Sequence, residues 1–89
     1  MVIGFYESGE LNYISLWEQT KVTIPTKYGN LVTDFGFELY KDGKLKSMEP
    51  IMGTMIIKDG EEVPVFRFFR TPFHAKDNYL KFDTDGNIL

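Results

Sequence analysis

The chain has 89 residues, a net charge of −3, a pI near 5.0 and no cysteine. That length fits one domain spanning 1–89. The missing cysteine excludes disulfides and thiolate zinc sites, and the acidic balance argues against phosphate-driven binding of nucleic acid. Stability must therefore come from a core, for which 43% hydrophobic and 16% aromatic residues supply the material.

The predicted elements are strands throughout. They cover Val2–Glu7, Leu11–Glu18, Lys21–Pro25, Leu31–Lys41, Lys44–Met48, Thr54–Lys58, Val63–Arg70 and Tyr79–Asp83. Between them a turn pattern returns: an apolar residue, a small or acidic residue with glycine, then an aliphatic. It appears in Phe5-Tyr6-Glu7-Ser8-Gly9-Glu10-Leu11, in Leu39-Tyr40-Lys41-Asp42-Gly43-Lys44-Leu45 and in Phe82-Asp83-Thr84-Asp85-Gly86-Asn87-Ile88. A looser copy is Ile56-Ile57-Lys58-Asp59-Gly60-Glu61-Glu62-Val63. Gly9, Gly43, Gly60 and Gly86 supply the positive φ that a tight hairpin turn needs.

No stretch has a convincing helical period. Ser15 to Lys21 is the best helical candidate, and Ile14-Ser15-Leu16-Trp17 reads equally well as strand. Pro25, Pro50, Pro64 and Pro72 mark strand ends, bulges or edges, because proline cannot donate to a ladder. A two-residue turn at Ser8-Gly9 sets Tyr6 opposite Leu11, Phe5 opposite Asn12 and Ile3 opposite Ile14. Asp42-Gly43 likewise sets Tyr40 opposite Leu45 and Phe37 opposite Met48, and a three-residue loop with a glycine bulge shifts such pairs by one. Several hairpins are apolar on both faces. The expected fold is therefore all-β: an antiparallel hairpin meander closing into a small sandwich or open barrel.

The two segments Phe5 to Leu11 and Leu39 to Ser47 resemble the variant MORN-type, antitoxin-like repeats of small bacterial proteins. The order of hairpin, Val22-Thr23-Ile24-Pro25-Thr26, Tyr28-Gly29, second hairpin and Glu49-Pro50-Ile51-Met52-Gly53 extends the likeness over about residues 2 to 57. The last copy, Phe82 to Ile88, looks more like a single YD-type repeat. The glycine separations of 34, 17 and 26 residues are less even than in a regular array. The resemblance implies hairpins and a scaffold or interaction role, with no active site.

Residues that carry chemistry are few. His74 is the only histidine, and no cysteine or activated serine accompanies it, so it reads as an ordinary loop residue and no enzyme is expected. Asp83-Thr84-Asp85-Gly86-Asn87 spaces oxygens as a calcium loop does, with only Asp77 and Asn78 as further donors, and a hairpin turn explains it more simply. No metal or cofactor is expected. Phe66-Arg67-Phe68-Phe69-Arg70 mixes aromatics and arginines as single-strand stacking platforms do, and Lys76 and Lys81 extend the basic strip. The acidic total favours a strand instead, with Phe66 and Phe68 inward and Arg67 outward.

The expected function is protein binding, as a scaffold, inhibitor or antitoxin-like module. The candidate surface is Trp17, Arg67, Phe69, Arg70 and Tyr79. The alternative is a carbohydrate or small-ligand site built on aromatics such as Trp17, Tyr13, Tyr28 and Tyr79. No apolar run approaches the ~20 residues of a membrane span, and Met1-Val2-Ile3-Gly4 lacks the basic start of a secretory leader, so a cytoplasmic location is expected. Tyr79-Leu80 and Ile88-Leu89 carry no guarding charge, which suggests a homodimer through the C-terminal edge.

Overall fold

A computed structural model of the protein describes residues 1–16, 20–67 and 77–89. The eight strands are β1 (Val2–Phe5), β2 (Leu11–Ser15), β3 (Val22–Thr26), β4 (Gly29–Leu39), β5 (Leu45–Pro50), β6 (Met55–Lys58), β7 (Glu61–Pro64) and β8 (Leu80–Lys81). Among the described residues there is no helix, so none is long and apolar enough to cross a membrane. All pairings are antiparallel. One sheet runs β1-β2-β4-β5-β8 with β3 added beside β4, and β6 and β7 form a separate two-stranded sheet. The expected all-β hairpin architecture is present.

The recurring turn is a three-residue loop. Gly9 N donates to Tyr6 O while Tyr6 N donates to Glu10 O; Gly43 with Tyr40 and Lys44, and Gly86 with Asp83 and Asn87, repeat both bonds. Each glycine has positive φ, 102°, 90° and 86° in order, as the closing position of such a loop requires. Tyr6 therefore faces Glu10, not Leu11, Phe5 faces Leu11, not Asn12, and Tyr40 faces Lys44, not Leu45. One extra residue then intervenes on the returning strand, Asn12 in the first hairpin and Lys46 in the second. That bulge restores the expected pairs Ile3 with Ile14 and Phe37 with Met48.

Asp59-Gly60 is a different turn. Both residues have positive φ, 53° and 81°, so the loop has two residues and Lys58 faces Glu61. Pairing thus begins at once, and β7 spans Glu61–Pro64, starting two residues before the expected Val63; of the expected Val63–Arg70, residues 68–70 lie outside the described residues. Beyond Pro64, Val65 N donates to Thr54 O.

β4 is long enough to hold two partners on one edge: β3 along Gly29 to Thr33 and β2 along Gly36 to Glu38. Between them the Thr33 hydroxyl takes the N–H groups of Phe35 and Gly36, which satisfies a kink in the strand. Across the kink Thr33 faces Pro50 and Phe37 faces Met48. β5 lies inside the sheet and is buried on both faces from Ser47 to Pro50. Its Met48 joins Leu31, Ile56, Val65, Leu80 and Phe82 in the core, against which Ile24, Tyr28, Phe37, Leu45, Val63 and Ile88 pack. Ile56 and Val63 bring the β6–β7 hairpin onto this apolar face.

Candidate functional site

Of the expected surface residues, Arg67 and Tyr79 are among the described residues. Trp17, Phe69 and Arg70, with His74, lie outside the described residues. Arg67 does not point outward. Its Nε and Nη2 each lie 3.3 Å from a different oxygen of Glu49, and Nη2 also donates to Asp77 O at 2.7 Å. Glu49 is fully buried, and its Oε1 takes a third donor, Tyr79 N, at 2.8 Å. Beside it on the same face of β5, the Ser47 hydroxyl donates to Glu38 and accepts from Asn78 Nδ2, while Lys46 Nζ sits 3.7 Å from Glu38. Arg67 and the Tyr79 backbone thus meet around a buried carboxylate. This is an anchor for the chain after β7, because a buried charge must be paired and hydrogen-bonded. The Tyr79 ring remains exposed.

Tyr13 and Tyr28 are also committed. Tyr13 lies against Gly4, where any Cβ would overlap its ring. Tyr28 packs on the core and its hydroxyl takes Ile88 N. A cleft of about 500 Å³ opens among Pro25, Lys27, Lys44 and the Asp83–Gly86 turn, but its one aromatic, Phe82, is buried and offers no stacking face. At the C-terminal end Leu80 is buried, and Leu89 N donates to Lys81 O, so the last residues lie along β8.

The outer edge of β1 is different. β1 ends the sheet, and among the described residues only β2 pairs with it. Val2, Ile3 and Phe5 are 58%, 45% and 62% exposed. The backbone groups follow from the turn. Tyr6 spends its N–H and C=O on Glu10 and Gly9, and alternation then directs those of Phe5 and Ile3 away from β2. Exposed edges are ordinarily guarded by charge or proline, and Val2-Ile3-Gly4-Phe5 has neither. β6 also exposes Met55 and Ile57, but Lys58, Glu61 and Glu62 guard that hairpin.

The turn end of β1 is acidic, with Glu7 and Glu10 both exposed. The Glu10 carboxyl titrates below its ordinary value, chiefly because the Ser8 hydroxyl donates to it, with help from its own backbone N–H and from Lys41. Lys41 also stands over the Tyr6 ring at 5.5 Å. Strand order was needed to single this edge out. The signal available was the uncharged run itself. Comparison with protein-family models, with curated proteins and with solved structures finds no match.

Proposed function

We propose that the protein is a protein-binding module that takes an extended segment of another protein by strand addition along β1. The observation that carries this reading is the unguarded β1 edge, with outward backbone groups at Ile3 and Phe5 beside exposed apolar side chains. Main-chain bonds supply affinity in such docking, and alternate side chains supply specificity. A scaffold, inhibitor or antitoxin-like role fits, as the resemblance of Phe5 to Leu11 and Leu39 to Ser47 to MORN-type repeats implies. A cytoplasmic location belongs to the same reading, on the ground that the chain has no cysteine.

The test is an edge variant. Phe5→Pro removes an N–H that β2 does not use, so the fold keeps its own ladder. Partners captured by the wild-type chain and lost by a folded Phe5→Pro chain support the proposal. Partners retained equally by both move the binding surface off β1.

A further inference from the structure

The three hairpins are joined by one rule. Tyr13, four residues past Gly9, faces Glu38, five before Gly43; Ser47, four past Gly43, faces Lys81, five before Gly86. The register of the two joints is the same. A side-chain bond repeats with it. Tyr6, three residues before Gly9, donates its hydroxyl to Leu39 O at 2.7 Å, and Tyr40, three before Gly43, donates to Phe82 O at 2.6 Å. Leu39 and Phe82 each stand four residues before the next turn glycine. Each hairpin therefore reaches across its own returning strand and bonds the next hairpin at a fixed carbonyl.

The first and third of these hairpins differ from the second. In the third hairpin the donor place is taken by Asp83, whose carboxylate instead accepts Asp85 N and Asn87 N. It has no hydroxyl to pass on. In the first hairpin the acceptor place is Phe5, four residues before Gly9, and its carbonyl faces outward along β1. Its equivalents show what such a residue takes: Phe82 N donates to Lys46 O on the neighbouring strand while Phe82 O accepts the tyrosine hydroxyl.

Resting on the strand-addition reading above, we infer that the β1 edge is the acceptor for one more hairpin of this kind, supplied by a different protein. That hairpin carries a tyrosine three residues before its turn glycine, and its hydroxyl donates to Phe5 O. The residues four and five past its glycine face Gly4 and Ile3, as Ser47 and Met48 face Lys81 and Leu80. A second copy of this chain does not fit the place. Its Tyr6 and Tyr40 are already bonded, and its third hairpin would set the Asp83 carboxylate against a carbonyl oxygen.

The probe is a backbone-cyclised hairpin peptide carrying the sequence of residues 37–50, with the Tyr40→Phe peptide as its partner; cyclisation is needed because lone hairpins are marginal in water. Both are titrated against the whole protein by fluorescence anisotropy, with amide exchange followed at Ile3 and Phe5. The expected result is binding that protects both amides, is lost in the Phe5→Pro protein, and weakens about two- to tenfold for the phenylalanine peptide, the range of one net hydrogen bond. Equal affinity of the two peptides overturns the hydroxyl rule and leaves strand addition standing. Binding that survives Phe5→Pro overturns both. If neither peptide binds while captured partners still depend on the β1 edge, the hairpin inference alone falls.

Discussion

Arg67 holds the buried carboxylate of Glu49 with two nitrogens, and the same carboxylate accepts Tyr79 N. Removing the arginine strands a charge that has no access to water. Arg67→Met is expected to cost about 3 kcal/mol, a fall of roughly 12–24 °C in melting temperature for a domain of this size. Adding Glu49→Gln, which keeps an acceptor for Tyr79 N, is expected to restore part of that loss. A double variant no more stable than the single one would show that the charge is not what destabilises.

Gly36 stands where β2 meets β4, and a Cβ there would overlap the Ile14 carbonyl oxygen. The obstacle is backbone, so it cannot turn aside. Gly36→Ala is expected to destabilise by about 1–3 kcal/mol, measured by urea unfolding.

Gly43 fails for the opposite reason. Nothing lies within 4 Å of a Cβ built there, but its φ is 90°. Gly43→Val is expected to cost about 1 kcal/mol or more through backbone strain. An unchanged melting temperature would remove the loop geometry assigned to the second hairpin.

The Asp83 carboxyl titrates below its ordinary range, first because Asn87 N–H donates to it, then through Asp85 N–H, the Asn87 side chain and Lys27. A folded value below the unfolded one means stability that is complete above the unfolded value of about 4 and is lost as pH falls through the folded value. Asp83→Asn keeps an acceptor and removes the titration. Between pH 5 and pH 2 the variant is expected to lose less melting temperature than the wild type.

Calcium is expected to leave the melting temperature unchanged at millimolar concentration. Asp83 Oδ1 already accepts two N–H donors, and the described residues contain no group of three or more histidines and carboxylates placed to hold a metal. A rise of several degrees that Asp85→Ala abolishes would reverse this.

The strands were legible because turn glycines and alternating apolar residues report local geometry. The pairs beside the turns slipped by one at Tyr6 and Tyr40, since two- and three-residue loops use the same glycine signal. Glu49 was not legible at all. A carboxylate between Met48 and Pro50 reads as a solvent-facing residue, and only its partner from β7's continuation explains its burial. The β1 edge needed strand order, which depends on contacts far apart in sequence. The tyrosines three before Gly9 and Gly43 were visible as a pattern, but their acceptors were not.

The identical joints have a consequence for chain length. The turn glycines Gly9, Gly43 and Gly86 are separated first by 34 and then by 43 residues, yet the register across the joints does not change. Loop-closure entropy grows only with the logarithm of length, so the longer connection costs about 0.2 kcal/mol more. What passes between hairpins is therefore nearly free to vary. β3 occupies the first interval and the β6–β7 hairpin the second, and the Asp59-Gly60 tip is the place where a foreign segment can be spliced in while the main sheet keeps its alignment.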